Sequence, residues 1–381
     1  MATIKEIAAR ANVSIATVSK VLNGKGGASA ETTARILELA RELNYTPNIM
    51  AKSLKMRKNN TIGIITEDLT VFITPEIVDG IDYYCDLNGY HYILSNLRLN
   101  KRFGHDFFET DTHHQLIDSV FKTMLSRQVE GIIYVGCHNH EIHYLPKDLK
   151  IPLVCAYCFS SDPKTPSVIY NDNKAAYDAT ELLIKKGHRE IGIICGLPDS
   201  FHTKNRLYGY QMALYDNSIL YNPLLVKYGD WERESGYRCG KELIESGVTA
   251  IFSHNDEMAC GVIDYRNEVG LEVGRDISLI GFDNREISTV VKPKLSTVSL
   301  PLFDIGQKAT EIILKMIDGT YENSINHIKL ECSVIDRESV ANVADRSSVA
   351  DKSSVTDRSN ATGNSNDSEK PGAAERYEQA Q

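Results

Sequence analysis

The sequence has no apolar run near the ~20 residues that span a bilayer. The longest, LVCAYCF at 153–159, falls far short. The N-terminus MATIKEIAARANV has no apolar h-region, so no secretory signal is expected. Neither G-x-G-x-x-G after a strand nor G-x-x-x-x-G-K-S/T occurs, so nucleotide-dependent enzymes lack their fingerprint. No nucleophile–base–orienter set is visible, so no enzymatic activity and no cofactor is expected. The eight cysteines are scattered and, with no export signal, read as reduced thiols in a cytoplasm, mostly small core residues. Cys155-Ala-Tyr-Cys158 is a CxxC, but it ends an expected strand instead of opening a helix and has no second pair for zinc. His138, His140 and His143 lack a Cys or Asp at metal-site spacing and read as a solvated loop, so no metal is expected.

Charge is unevenly spread. The net is −9 over 381 residues. Residues 1–60 carry 10 Lys and Arg against 4 Asp and Glu, a net of +6, and the other 321 carry 32 against 47, a net of −15. A basic head on an acidic body points to a polyanion partner for the head.

Residues 1–46 read as three short helices with almost no aromatics, Tyr45 alone. Thr3 and Glu6 form a T-x-x-E capping box, and Ile4, Ile7, Ala8 and Ala11 share one helical face. Asn12-Val13 turns the chain. Ser14 caps a second helix with Ile15, Val18 and Leu22 at helical spacing. Asn23-Gly24-Lys25-Gly26-Gly27 ends it, because glycine tolerates turn backbone angles. Ser29 caps a third helix with Ile36, Leu39, Ala40 and Leu43 as its stripe. The first two helices have helix-turn-helix dimensions. The second presents Ala16, Thr17, Ser19 and Lys20 outward, small and polar residues that suit a major groove. Ser14, Thr17 and Ser19 hydroxyls can bond phosphates or bases, Lys20 guanine or phosphate, Asn23 the backbone, and Ile15 and Ala16 thymine methyls. Packing alone, in a small helical bundle, accounts for the same pattern.

Residues 47–60 form a basic linker too short to be helical alone in water. From Thr61, apolar runs alternate with helical patterns: strands at 61–66, 90–96, 131–136, 152–157, 190–196, 224–229, 250–255 and 278–284, helices near 75–88, 111–127, 172–187, 203–217, 233–247 and 256–269. Continuous apolar strands between helices imply parallel sheets covered on both faces. Residues 61–340 are too many for one comfortable core, so two α/β lobes with a cleft are expected, with ligands at strand carboxyl ends. Residues 341–381, with the near-repeat DRSSVA, DKSSVT, DRSNAT and no Leu, Ile, Phe or Trp, are expected to be disordered.

The segment VS-xx-TVSKVLN, the S-x-E-T-x-x-R-I start of the third helix and NYTPN-xx-A-x-SL, in this order, resemble the DNA-binding region of the LacI/GalR family of bacterial repressors. The likeness continues through TIGIITED, GHREIGIICG, KNRLYGY, YGDWERESGY, IFSHNDEMACG, DISLIGFDN and KPKLSTVSLP, over roughly 2–340. It implies a fold of class α/β: an N-terminal helix-turn-helix domain (1–46), a hinge helix (47–60), a two-lobed periplasmic-binding-protein-like body (61–340) for effector binding and dimerisation, and the tail. It also implies double-stranded operator DNA, near-palindromic, and a small-molecule effector as partners. A homodimer is favoured, because no Leu-rich heptad follows the body.

By the same resemblance, Leu54 matches the hinge leucine that wedges into the minor groove. Ala51 is small where two hinge helices pack, and Lys55 among other basic residues can neutralise phosphate. In the body, Trp231 matches an aromatic that stacks on sugar ligands, and Arg206 a ligand-binding arginine. Asn255 and Asp283 end strands, while Phe72 and Thr74, in DLTVFITPEIV, lie on the loop after the first strand, at the same edge. Two departures affect specificity: Tyr157 stands where several members carry Asp, and Leu300 where one branch carries Gln. The expectation is a ligand-responsive repressor with a sugar or sugar derivative as effector. The alternative is a cytoplasmic small-molecule receptor without DNA function.

Overall fold

A computed structural model describes residues 3–45, 59–104, 113–142, 144–146, 148–322 and 326–344. The hinge positions Ala51, Leu54 and Lys55 and most of the tail lie outside the described residues.

The head is three helices, α1 (Ile4–Ala11), α2 (Ile15–Leu22) and α3 (Ala30–Glu42). Each begins where a hydroxyl caps it. Thr3 Oγ1 accepts the Glu6 N–H, Ser14 Oγ the Thr17 N–H at 3.0 Å, and Ser29 Oγ the Thr32 N–H at 3.2 Å. The Glu6 carboxylate pairs with Arg10 at 3.1 Å. Asn12 takes a left-handed φ of 49° to end α1. Ile7, Ala8, Ala11, Val18, Val21 and Ile36 form the core. The apolar face of α2 is therefore Val18 and Val21, with Leu22 partly buried, and the Ile15 expected in that stripe is exposed. Ile15 sits at the first helical position, one turn short of the core contact.

The body contains two six-stranded sheets. Its strands are β1 (Thr61–Thr66), β2 (His91–Asn96), β3 (Ile132–Val135), β4 (Leu153–Ala156), β5 (Ser167–Tyr170), β6 (Ile191–Cys195), β7 (Val226–Tyr228), β8 (Ala250–Ser253), β9 (Ser278–Asp283), β10 (Ser296–Ser299), β11 (His327–Leu330) and β12 (Ser333–Ile335). Its helices are α4 (Ile73–Leu87), α5 (Leu99–Phe103), α6 (His114–Ser126), α7 (Asp172–Lys185), α8 (Phe201–Asp216), α9 (Arg233–Glu245), α10 (Asp256–Val269), α11 (Ile287–Val290) and α12 (Leu302–Ile317). One sheet runs β11-β5-β4-β3-β1-β2, the other β12-β10-β9-β8-β6-β7. Pairing is parallel throughout except at β10–β12. Central strands such as β3, β4, β5 and β8 are buried at every residue, as double-sided coverage demands.

The chain passes between lobes after β5, after β10 and between β11 and β12. Helix α12 begins beyond the second crossing and packs on α4 of the N-terminal lobe, while α7 packs on α8 of the other. One apolar cluster, from Ile62 and Ile133 to Ile193, Phe282 and Val298, runs through both lobes. Order extends past residue 340. Ala341 N–H donates to Ser278 Oγ at 3.1 Å, and Val343 N–H to the Lys186 carbonyl at 2.9 Å.

Candidate functional site: the exposed second head helix and a cleft at the carboxyl ends of two sheets

On the head, Ser14, Ile15, Ala16, Lys20 and Asn23 are exposed, and Thr17 and Ser19 are half-buried. Ala16, Ser19 and Lys20 lie on the face of α2 away from Val18 and Val21, and Ser14 and Asn23 stand at its two caps. Some of their polar groups are already engaged. Ser14 Oγ and Thr17 Oγ1 lie 2.8 Å apart, and Asn23 Nδ2 donates to the Ser19 carbonyl at 2.6 Å. Among the described residues, the Lys20 side chain makes no hydrogen bond or ion pair, so its charge is available on this face.

In the body, the carboxyl ends of β3, β4, β5, β6, β7, β8 and β9 converge between the lobes. The centre is Arg206, on α8 and only 3% exposed. Its Nε donates to Asp172 Oδ1 at 2.8 Å and its second terminal nitrogen to the Tyr170 hydroxyl at 2.8 Å. The other terminal nitrogen reaches the His254 carbonyl. The guanidinium also lies 3.6 Å from the centroid of the Phe282 ring, a cation–π contact. Such an arginine is held on every edge by the protein. Asp172 opens α7, at the first crossing between lobes. Burial pushes its carboxyl up, but His202 and Arg206 more than offset that and hold it to about 2.

His202 ties the lobes together. The Asn139 N–H, in the loop after β3, donates to His202 Nε2 at 3.2 Å. That nitrogen therefore accepts, and the proton sits on Nδ1, 3.0 Å from Asp172 Oδ2. Phe159 against Phe201 (centroids 5.4 Å apart) and Arg285 over the Phe72 ring (5.1 Å) are two further contacts between lobes.

Trp231 follows β7, with a left-handed φ of 75°. Its ring stacks on His254, centroids 6.4 Å apart at 25°, and meets His202 edge-on. Asn255 caps α10, accepting the Met258 N–H, and its amide donates to the Trp231 carbonyl at 2.8 Å. It therefore holds the tryptophan loop. Asp283 and Tyr157 also have positive φ, 103° and 60°. Three non-glycine residues in this region within one cleft are backbone strain of the kind found at binding sites. Burial raises the Asp283 carboxyl to about 8 against the pull of Arg206. Tyr157 is buried and stacks on Tyr170.

The structure thus brings Tyr157, Arg206, Trp231, Asn255 and Asp283 together. Phe72 stands at the rim, 43% exposed. Thr74 is not in a loop. It is fully buried in the first turn of α4, its hydroxyl donating to the Asp68 carbonyl at 2.9 Å. The His-rich segment is not solvated either. Asn139 is fully buried, and His140 Nε2 lies 3.2 Å from Glu67, which also accepts from Cys137 N–H and Tyr134. Burial raises the Glu67 carboxyl, but His140 outweighs it and the group sits at about 2. His143 lies outside the described residues.

Sequence reasoning missed Tyr170, Asp172, His202, His254 and Asn139. The one signal available was Asn-Asp-Asn at the end of an apolar run, SVIYNDN. Two cavities of about 220 and 240 Å3 lie elsewhere, one lined by Glu76, Asp304 and Glu331, the other by Arg189 and Tyr210. Neither holds an unpartnered buried side chain among the described residues, so chemistry and not volume singles out the cleft.

Residues 3–48 match the family described as bacterial regulatory proteins, lacI family, and residues 180–340 the periplasmic binding protein-like domain. The chain is 34% identical to catabolite control protein A of Priestia megaterium over 85% of its own length and 95% of the relative's. It is 32% identical to the HTH-type transcriptional repressor PurR of Aliivibrio fischeri, over 90% and 99%. Its structure resembles that of the lac repressor dimer bound to operator and the anti-inducer ONPF, with a TM-score of 0.70, 26% identity, and coverage of 89% of this chain and 99% of that one.

Proposed function

The chain belongs to the LacI family of DNA-binding transcriptional regulators, and on that premise we propose that it is a homodimeric repressor controlled by a sugar or sugar derivative bound between its lobes. The observation that supports this reading most is the cleft itself. A single indole, Trp231, is held over it by Asn255, beside Arg206 and His202 of α8 and His254 at the carboxyl end of β8. An indole face suits the apolar face of a sugar ring.

Two subunits place two α2 helices in successive major grooves of a near-palindromic operator. Ala16, Ser19 and Lys20 face the bases and phosphates, with Ile15 toward thymine methyls and Ser14, Thr17 and Asn23 fixing the helix. Hinge segments carrying Ala51, Leu54 and Lys55 meet in the minor groove, Leu54 trading base unstacking for a kinked duplex. The effector changes the angle between lobes that Asn139–His202, Phe159–Phe201 and Phe72–Arg285 now hold. That moves the hinges, by no more than the effector's differential affinity for the two states permits.

The test is enrichment of bound duplexes from a random pool by the full chain. Two inverted half-sites are the expected product, with retention falling steeply as salt rises. Enrichment of no sequence supports the alternative, a receptor without DNA function.

A further inference from the structure

Buried polar side chains without partners are rare, and each calls for an explanation. Two flank the His202–Trp231 pair from opposite lobes. His254, at the carboxyl end of β8, is fully buried, and neither ring nitrogen has a hydrogen-bond partner among the described residues. Its ring stacks on Trp231. Asn139, in the loop after β3, is fully buried too, and neither its amide oxygen nor its amide nitrogen has a hydrogen-bond partner among the described residues. Its own backbone N–H makes the contact to His202. The Thr203 hydroxyl, one residue after His202, is in the same state. The set offers donors and acceptors that the protein does not use.

The cations here are in the opposite condition. Arg206 is neutralised by Asp172 and bonded on its remaining edges. Arg285 pairs with Glu257 at 2.8 Å and lies over Phe72. Of the histidines, His140 is on Glu67, and His202, a neutral ring whose Nε2 accepts from Asn139, gives its Nδ1–H to Asp172. A phosphate entering this cleft would be a buried anion without a committed counter-charge, which is costly. A hydroxyl or amide would satisfy orphaned groups without bringing any charge.

We propose that His254 and Asn139 are specificity-determining ligand contacts, one from each lobe, and that they select an uncharged ligand bearing hydroxyl or amide groups over its phosphorylated counterpart. This rests on the reading of the cleft as the effector site. A ligand bridging the two residues bonds both lobes at once, so its binding is coupled to closure. Neither residue lies in the family-like motifs as a ligand position. Each is recognisable only by its burial without a partner.

The single tryptophan lies in the cleft, so its emission reports occupancy directly. Full-length protein is titrated with matched pairs: D-ribose and ribose 5-phosphate, D-glucose and glucose 6-phosphate, adenosine and its 5′-monophosphate. The uncharged member of a pair should change Trp231 emission and its phosphorylated partner should not. His254→Ala and Asn139→Ala should each raise the Kd for that compound roughly 10-fold or more, the loss expected when a buried hydrogen bond is removed. His254→Phe, which keeps the ring stack, should raise Tm while losing binding, an outcome a purely structural histidine would not give. Equal or tighter binding of a phosphorylated member overturns the proposal and leaves the cleft reading standing. Parent-like binding by the variants overturns the roles given to His254 and Asn139. No emission change with any pair overturns the cleft reading, and the proposal with it.

Discussion

Gly196 lies directly beneath Trp231: a Cβ at residue 196 would sit 2.1 Å from the indole. The end of β6 is thus shaped to let the ring lie on bare backbone, and the ring's position in the cleft depends on that missing side chain.

Gly196→Ala should therefore push Trp231 out of place. The overpacking should cost about 1–3 kcal/mol of stability. Emission of the ligand-free protein should shift, and effector response should be lost while operator affinity is retained. An unchanged emission spectrum would show that the ring does not rest on this glycine.

Asn255 spends its side chain on the cap of α10 and on the Trp231 carbonyl. Asn255→Asp keeps the cap but loses the donor to Trp231, whereas Asn255→Ala loses both, at about 0.5–2 kcal/mol for the cap. Both variants should alter Trp231 emission without ligand, and only the alanine variant should lower the denaturant midpoint appreciably. Equal destabilisation by both would argue against this division of labour.

Acid sensitivity follows from two buried carboxylates. Glu67 and Asp172 titrate at about 2 in the folded protein, below the ~4.3 and ~3.9 of unfolded chains. The stabilisation is complete above those ordinary values and drains away as pH falls toward 2. It is on the order of 3 kcal/mol for each group. Denaturant midpoints of the parent should fall steeply between pH 5 and 2. Glu67→Gln, less stable at neutral pH, should fall less steeply, so that the two curves converge in acid. Parallel curves would remove Glu67 from the account. Asp172→Asn is the harsher change. It leaves the Arg206 charge buried and uncompensated, with an expected cost of about 3–5 kcal/mol.

The hinge proposal is tested on DNA. Leu54→Ala should weaken operator binding roughly 10-fold or more, because unstacking a base step without a wedge to fill it costs a few kcal/mol, and Trp231 titrations should be unchanged. Equal operator affinity by mobility shift would remove Leu54 from the minor groove.

Local chemistry made much of this legible. The caps Thr3, Ser14 and Ser29 start their helices because a hydroxyl next to a helical pattern satisfies free N–H groups wherever it occurs. Helix α10, Asp256–Val269, spans the residues expected, since Asn255 caps it and Gly270 ends it with a φ of 73°. Elements with weaker local signals escaped notice. β5, β10, β11 and β12 are three or four residues long, and α12 begins after Pro301 without a side-chain cap. The fully buried α4 residue Thr74 read as a loop position because DLTVFITP carries turn residues up to the helix start.

By itself the sequence determined the class: a basic three-helix head, two parallel-sheet lobes, the family, and Trp231 and Arg206 as cleft residues. These follow from capping, periodicity and motifs, which are local along the chain. The tertiary structure alone decided what those residues are joined to. Arg206 meets Asp172 and Tyr170 because the chain crosses between lobes just after β5, and Asn139 meets His202 because the two sheets present their carboxyl ends to each other. Whether a buried histidine or asparagine has a partner is a property of everything packed around it. No spacing in the sequence records that His254 and Asn139 have none.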